Sequence, residues 1–568
     1  MKKTTILLLG LLLIAFVLRF YKIDQIPKSM YGDGMTAVYD AWSIFKTAHD
    51  QKGNFLPLVF ELGGGRPAGY IYATVPFAAL FGPTALASQM VSVLSGIGIV
   101  LLLFLIGRQL FSEKIGLSIA AVSALNPWEL SMSRGPYESH FALFLTLLGV
   151  YAFIKGFRHK YWFLLWGLTF GLASQTYGSY RLTIPLFTIL LLIWILCHSE
   201  RLAKNLTIRS FTAFRMTTKD IILFLSLGVV ILSTILSAYL TISKGQGDRF
   251  DILNIFKNPA VRSQISQKVK ADRLVDTSSP AFSYTFHNPP LELAGLLAEN
   301  YFSNFFPEFL FIKGDGEPRH NPAEIGGMFW IDFVLIILGI VFLYKKDKRL
   351  LLLLAGWALI APIPTSLVGS AHALRSSLLL PPLIILAGLG LYKLLTTRKS
   401  NKISAAALTI LALLFIFQFG IFLDKFYFVA PRKNTKSWSY PAKKASAFAL
   451  QNKDKFDYVF LSNDIDNMEF AYPVYAKLDP GQVINQNRTP AKLDEYKFFK
   501  YDNVYIGSIP HTRLIKFIKD LEGSVLYVGS AKEQPYLENY QLVRGFDESL
   551  ELVAMPKDQI PNLDYKDF

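Results

Sequence analysis

The sequence is poor in cysteine, with Cys197 as its only one among 568 residues. A single thiol cannot form a disulfide within the chain or supply a zinc site made of several thiolates. Closely spaced histidine pairs such as His-x-x-x-His are also missing, as are internal repeats and low-complexity linkers. These absences exclude an internal disulfide, a thiolate metal centre and an array of flexibly linked repeats.

Long hydrophobic runs are abundant, since 52% of the residues are hydrophobic and 14% are aromatic. A helix that crosses a hydrocarbon core about 30 Å thick needs roughly 20 apolar residues. About eleven such segments are predicted: 4–20, 86–106, 115–128, 139–155, 161–177, 182–198, 220–241, 327–344, 350–367, 376–395 and 403–423. No small-residue cleavage pattern follows the first segment, so we interpret it as a retained anchor rather than a signal peptide.

Basic residues fall on one side of the membrane when these eleven spans are threaded alternately. They are Lys2, Lys3, Arg108, Lys114, Lys155, Arg158, Lys160 and those within 201–219, 345–349 and 393–402. The pattern predicts a plasma-membrane protein with a cytoplasmic N-terminus and long outer segments at 21–85, 242–326 and 424–568. The formal charge of +16 is thereby explained by topology, and nucleic acid is not expected as a partner.

The predicted fold is a polytopic α-helical membrane protein with a C-terminal extracytoplasmic α/β domain. The boundary is placed after residue 423, giving a transmembrane domain 1–423 and an α/β domain 424–568. In the latter, strands are predicted at 458–462, 503–507, 524–529 and 550–554, and helices at 441–452 and 511–521. The junction 424–440 is aromatic and basic, so we expect this domain to rest on the membrane part. In the first outer loop, 35–48 and 70–81 are predicted to be helices lying in the membrane interface.

Ionisable residues in apolar surroundings are candidates for chemistry. Asp33 follows the first span and precedes the helix predicted at 35–48; it is either a catalytic carboxylate or a helix cap. Arg134 and Glu138 lie in the loop between the third and fourth spans, where they are either functional groups or a surface ion pair.

A phosphate is best bound by guanidinium groups. The arginines at outer span ends are Arg66, Arg134, Arg181, Arg249, Arg319 and Arg375. Each could instead be a snorkelling residue at the interface. His372 and Arg375 stand out because the spans that flank them are nearly free of charge.

Five motifs occur in a characteristic order along residues 1–440. They are Ile26-Pro27 to Asp33; Gly65-Arg66-Pro67 to Tyr70; Asn126-Pro127-Trp128 to Arg134 with Glu138; Asn300-Tyr301 to Phe311 with Asp315 and Arg319-His320; and His372 to Arg375. Together they resemble the bacterial members of the protein O-mannosyltransferase and aminoarabinose-transferase-like group of the glycosyltransferase C superfamily. The resemblance implies a multi-span enzyme with a catalytic carboxylate in its first outer loop and a polyprenyl-phosphate sugar as donor. In that group a glutamate commonly follows the aspartate; here Gly34 follows Asp33, and Glu138 is the candidate for the second carboxylate.

The chemistry needs few groups, because a sugar phosphate already carries a good leaving group. One base for the acceptor hydroxyl and cations for the departing phosphate suffice. We predict a single inverting displacement with Asp33 as base, since double displacement needs a second carboxylate about 5 Å away as nucleophile. The predicted substrate- and phosphate-binding residues are Arg66, Tyr70, Arg134, Tyr177, Arg181, Arg249, Arg319, His320, His372 and Arg375.

The sequence constrains cofactors and partners less than it constrains the catalytic and phosphate-binding residues. No cofactor is required, although a divalent metal could be bound by His140 with Glu138 or by His320 with Asp315. The acceptor hydroxyl could belong to a protein, a lipid or a cell-wall polymer, and the resemblance favours mannose or another hexose. A nucleotide-sugar donor is disfavoured because the cytoplasmic loops are short and lack a Gly-rich phosphate loop.

Two other function classes stay open. A transporter or flippase of lipid-linked sugars would show paired broken helices and ionisable residues near the bilayer midplane, whereas the polar candidates here lie at outer span ends. The other alternative is an inactive envelope scaffold, which the missing glutamate after Asp33 keeps open.

Overall fold

The computed structural model describes residues 3–61, 65–202, 218–243, 254–397, 402–537, 540–546 and 549–557. Each predicted span overlaps a helix. These helices are Lys3–Phe20, Ala85–Leu110, Glu113–Leu125, Glu138–Gly156, Trp162–Ser174, Tyr180–Leu202, Thr218–Ser243, Trp330–Lys346, Lys348–Ile360, Leu380–Thr397 and Lys402–Asp424. Within the described ranges, seven helices are long and apolar enough to cross a membrane. The helical membrane fold is confirmed, while the count of eleven crossings and their orientation stay predictions.

Asn-Pro dipeptides begin three of the helices. Asn126, Asn258 and Asn288 are the N-caps, each accepts a hydrogen bond from the first turn, and each is followed by proline at the first helical position. Proline fits there because its missing N–H would have had no partner in the helix. The segment after Asn126 is therefore a short helix, Pro127–Ser133, whereas the end of a span and a loop were predicted there.

The first outer loop contains helices Gly32–Thr47 and Gly69–Phe81, joined through a two-stranded hairpin of β1 (Val59–Phe60) and β2 (Arg66–Pro67). We call Gly32–Thr47 the loop helix. It begins earlier than predicted and includes Asp33 in its first turn. Most of its residues are buried within the protein, so it is a packed element, while its position in the membrane interface stays a prediction.

The second outer loop is also helical, with Pro259–Val275, Pro280–Phe286 and Pro289–Ser303 followed by a π-helical turn Glu308–Ile312. Beyond it, the helices Trp330–Lys346 and Leu380–Thr397 pack backbone to backbone. A Cβ added at Gly339 would lie 2.0 Å from the carbonyl oxygen of Leu386, and one at Gly390 would lie 1.9 Å from that of Leu335. Glycine permits this close approach because it has no side chain.

The C-terminal part is an α/β domain with one mixed sheet. Its strands are β3 (Tyr458–Ser462), β4 (Ala491–Leu493), β5 (Tyr496–Tyr501), β6 (Val504–Gly507), β7 (Val525–Ser530), β8 (Gln541–Arg544) and β9 (Leu550–Pro556). Their order is β4-β5-β6-β3-β7-β9-β8, and β3 runs parallel to both neighbours. The helices are Tyr440–Asn452, Met468–Tyr475, Pro480–Arg488 and His511–Asp520. The four predicted strands and two predicted helices are confirmed.

The loop helix is packed against this domain. Met35 and Val38 are buried in the same apolar core as Phe448 and Met468. The Tyr39 hydroxyl donates to the backbone oxygen of Leu478 at 2.5 Å. At the helix start, a Cβ added to Gly32 would lie 2.2 Å from Oδ1 of Asn467. These contacts agree with the expectation that the domain rests on the membrane part.

Candidate active site

A polar cavity of about 420 Å³ lies between the start of the loop helix, the second outer loop and the C-terminal domain. It is lined by Tyr31, Gly32, Asp33, Thr36, Glu317, Arg319, Lys436, Ser437, Asp466, Asn467 and Phe470. Its volume falls within the range of about 300–1,000 Å³ that small-molecule sites occupy. Of the residues predicted from sequence, Asp33 and Arg319 line this cavity.

Asp33 is half-buried in the first turn of the loop helix. It is not the N-cap, because that position is held by Tyr31. Within the described part of the chain, its carboxylate has no hydrogen bond and no ion pair within 4 Å, whereas its backbone oxygen accepts from Arg66. The helix N-terminus favours negative charge at this position. Asp33 therefore presents a carboxylate to the cavity that is available to a ligand.

Arg66 is buried behind Asp33 and is surrounded by carboxylates. Its Nη1 donates to the backbone oxygen of Asp33 and its Nη2 to Oγ1 of Thr36, both at 2.6 Å. Nη1 also lies 3.6 Å from Oε1 of Glu138. Burial by itself lowers the pKa of Arg66, but Asp33, Glu138 and Asp40 outweigh it and raise that pKa above its usual value. Arg66 thus organises the carboxylates. It was predicted to bind phosphate, but its two Nη atoms contact protein groups instead.

Gly34 is required by packing. A Cβ added at this position would lie 2.8 Å from Cγ of Pro136, closer than carbon atoms approach without contact strain. The proline ring is rigid, so the segment that leads to Glu138 would have to move. The glutamate that the resemblance leads one to expect after Asp33 therefore has no room, and Glu138 brings a carboxylate to Arg66 from the opposite segment.

Gly34→Ala is expected to destabilise the protein. Overpacking costs about 1–3 kcal/mol, of which the better helix propensity of alanine offsets about 1 kcal/mol. The thermal unfolding midpoint in detergent should fall. The control is Gly295→Ala in helix Pro289–Ser303, where nothing lies within 4 Å of an added Cβ; it should match or exceed the wild type. Equal midpoints for the two variants would contradict this account of Gly34.

Arg319 is held at the cavity wall by three contacts. Its Nε donates to Oε1 of Glu317 at 2.8 Å, and its guanidinium lies 4.9 Å from the ring centre of Tyr31. Its backbone oxygen accepts from the Tyr137 hydroxyl at 2.6 Å. Arg319, which was predicted to bind phosphate, is therefore a cation held in place at the cavity wall.

His320 and His372 turn toward Asp315 and are not among the residues that line the cavity. Nδ1 of His320 lies 3.1 Å and Nδ1 of His372 lies 3.9 Å from Oδ2 of Asp315, and the ring centres are 4.7 Å apart. Burial by itself raises the pKa of Asp315, but the hydrogen bond from His320 and the two imidazoles bring it down to about 2. Asp315 is thus an ionised carboxylate faced by two imidazoles.

Arg134, predicted to bind phosphate, is not among the residues that line the cavity. Its guanidinium donates to the backbone oxygens of Leu18, Arg19, Tyr21 and Ile26 at 2.8–3.3 Å. These carbonyls belong to the end of the first helix and the turn after it, where oxygens lack intrahelical partners. Arg134 therefore acts as a structural cap, and the surface ion pair with Glu138 is replaced by the contact between Glu138 and Arg66.

The other predicted binding residues are not among those that line the cavity. The Tyr70 hydroxyl is buried and bonded to Ser88 and Ser92, and Nε of Arg181 donates to Ser237 at 2.7 Å. Tyr177 packs against Tyr180, with ring centres 6.2 Å apart. Arg375 follows His372 on the outer turn, and its backbone N–H donates to Nδ1 of that histidine at 3.5 Å. Arg249 lies outside the described residues.

Two features of this region were not predicted from the sequence. Lys436 is exposed and lines the cavity from the junction to the C-terminal domain; the basic character of 424–440 was the only signal for it. Arg19 and Glu129 form a fully buried ion pair at 2.9 Å. Its signal was an arginine in the last turn of an apolar span and a glutamate directly after Asn126-Pro127-Trp128.

His140 lies beside this buried ion pair. From the sequence it was predicted to bind a metal ion together with Glu138. Its Nε2 lies 3.2 Å from Oγ of Ser133 and 3.9 Å from Oε1 of Glu129, and the side chain is fully buried. Oγ of Ser133 in turn accepts from Nε of Arg19 at 3.1 Å. The pairing of His140 with Glu138 as ligands finds no support in this arrangement.

Comparison with solved structures identifies the fold. The chain is similar to ArnT from Cupriavidus metallidurans bound to undecaprenyl phosphate, with a TM-score of 0.55 and 14% identity over 98% of this chain and 99% of that chain. For ArnT in the apo state the TM-score is 0.53, with 14% identity over 97% of each chain. No family model matches, and neither does any curated protein. The chain is an integral membrane protein with the glycosyltransferase C fold, which confirms at the level of the fold the resemblance drawn from its motifs.

Proposed function

We propose that this protein is a glycosyltransferase that moves a monosaccharide from a polyprenyl-phosphate carrier to an acceptor hydroxyl at the outer face of the plasma membrane. The observation that carries the proposal is the cavity in which the Asp33 carboxylate faces a space shared with Arg319 and Lys436. A base and two cations at one cavity are the groups that this reaction needs. The shared fold with ArnT, a protein whose structure contains undecaprenyl phosphate, supports a lipid-phosphate donor.

The reaction is a single displacement. Asp33 accepts the proton of the acceptor hydroxyl while the hydroxyl oxygen forms a bond to the anomeric carbon of the sugar. The bond between that carbon and the phosphate oxygen breaks on the opposite side, so the configuration inverts. The electron pair leaves with the phosphate, whose charge is stabilised by Arg319 and Lys436. Arg66 and Glu138 act behind Asp33 by fixing the first turn of the loop helix.

The C-terminal domain completes the cavity on the side of Ser437, Asp466, Asn467 and Phe470. Because these side chains are polar or aromatic and share the cavity with the base, we place the acceptor beside them. The donor enters laterally from the membrane, and its sugar is a hexose. The N-terminal helix of the protein is a membrane anchor that starts in the cytoplasm. The acceptor is a hydroxyl of a protein, a lipid or a cell-wall polymer.

The test uses the full chain purified into nanodiscs and a polyprenyl-phosphate hexose labelled in the sugar. With an envelope extract as acceptor source, the expected result is release of polyprenyl phosphate together with transfer of the label to an acceptor. Turnover should not require a nucleotide sugar. If the labelled donor stays intact and instead crosses the membrane of proteoliposomes, the protein is a flippase and the proposal is wrong.

A further inference from the structure

Three side chains that can ligate a metal ion, Asp315, His320 and His372, lie together between the second outer loop and the turn 368–375. Oδ2 of Asp315 accepts the backbone N–H of Ala373 at 2.7 Å and lies 3.1 Å from Nδ1 of His320. Nδ1 of His372 lies 3.9 Å from the same oxygen, beyond hydrogen-bond distance, and accepts the backbone N–H of Arg375 at a long 3.5 Å. Two imidazoles and a backbone amide therefore converge on one carboxylate oxygen, and one imidazole is left without a bond to it.

The three side chains have the composition and spacing of a metal site. Their ligand atoms all lie within 4.8 Å of one another. Ligands on a tetrahedral zinc ion, with bonds of about 2.0–2.1 Å, are separated by roughly 3.3 Å, so shifts of less than about 1 Å bring the three ligands onto one ion. A cavity of about 10 Å³ borders Asp315, His320 and Ala373, the residue after His372, and is close to the space of one water molecule or ion.

Two other His and carboxylate clusters in the described part of the chain are weaker candidates. Asp272, His287 and Glu292 are all partly exposed to solvent. In the cluster of Asp464, His511 and Glu533, the side chains of His511 and Asp464 are 33% and 38% exposed. At Asp315, by contrast, the carboxylate and His320 are nearly fully buried, so an ion there would be shielded from competing water.

We propose that Asp315, His320 and His372 bind one divalent transition-metal ion, with zinc as the first choice and a fourth position open to water. Two histidines and one carboxylate form a common zinc site with an open position, and the same set suits other first-row ions. The ion connects the second outer loop to the outer turn 368–375. Because Arg319 lies next to His320 in the chain, the ion positions the loop that carries this cavity residue. The proposal does not depend on the transferase assignment.

The site is tested by metal content, which needs no activity assay. Full-length protein purified in detergent without chelators should contain about one zinc per chain by plasma mass spectrometry. His320→Ala and His372→Ala should each reduce the content at least about fivefold, whereas His287→Ala, in the half-exposed cluster, should keep it. Removal of zinc with EDTA should lower the thermal unfolding midpoint, and added zinc should restore it, because an ion that binds only the folded state stabilises it.

Cobalt substitution distinguishes the loss of a metal ligand from the loss of metal through misfolding. Wild-type protein reloaded with Co²⁺ should show visible d–d absorption of a nitrogen- and oxygen-bound ion, and His372→Gln should change or lose these bands while it elutes and unfolds as a folded protein. Wild-type protein without metal after zinc is added, or ligand variants that keep full metal content, would overturn the proposal.

Discussion

Asp33→Asn is expected to lower the rate of polyprenyl phosphate release by about 10²–10⁴-fold, the usual contribution of a positioned general base. Asparagine has the shape of aspartate but cannot accept the proton of the acceptor hydroxyl. The backbone oxygen that Arg66 uses is unchanged, so the loop helix should keep its place. The measurement is the initial rate at saturating donor, together with the thermal unfolding midpoint.

The matched control is Asp24→Asn. Asp24 is exposed in the same outer loop and does not line the cavity. This variant removes one negative charge from the same region, so it accounts for any general electrostatic effect on donor binding. If Asp33→Asn turns over at the wild-type rate, Asp33 is not the base.

Glu129→Gln is expected to destabilise the protein by about 3–5 kcal/mol, because it leaves the buried Arg19 without a counter-charge. Both side chains are fully inaccessible and lie 2.9 Å apart. Oγ of Ser123 donates to the same oxygen of Glu129 at 2.9 Å, so the loss extends to a hydrogen-bond network. A large fall of the thermal unfolding midpoint should result.

A double variant distinguishes the cost of an unpaired buried charge from the cost of altered packing. Arg19→Met combined with Glu129→Leu removes both charges, and it should recover much of the stability because a buried ion pair is often no better than apolar packing. Glu292→Gln breaks the exposed pair with Lys268, seen at 2.5 Å, and should have little effect. A single Glu129→Gln variant as stable as the wild type would contradict the role assigned to this pair.

The membrane part was predictable because its signal is local. A run of about 20 apolar residues forms a helix wherever it stands in the chain, so each predicted span overlaps a helix. The break at Asn126 was missed because the hydrophobicity continues through Trp128, although the Asn-Pro pair is a local signal for a new helix. In the C-terminal domain the four most buried strands were predicted. The edge strands β4 and β8 were missed because they are short and polar, and β5 was missed as well, since only two of its six residues are buried.

The site was predictable only in part. Asp33 could be chosen because it follows the first span in apolar surroundings, and Arg319 because it lies at an outer span end. Their common cavity depends on contacts between segments almost 300 residues apart. Lys436 was hidden among other basic residues of its junction. Arg134 and Arg66 were assigned to phosphate because sequence shows the charge of a guanidinium and not its acceptors, which here are backbone oxygens and carboxylates.

The fit between Gly32 and Asn467 limits how this protein can change by recombination. The first outer loop has its apolar residues in a core that belongs to the C-terminal domain, and a side chain at position 32 would collide with Asn467. A chimera that receives this domain from a distant relative would have to inherit the matching loop helix as well. The two ends of the gene are therefore expected to evolve as a linked pair, even though more than 400 residues separate Gly32 from Asn467 along the chain.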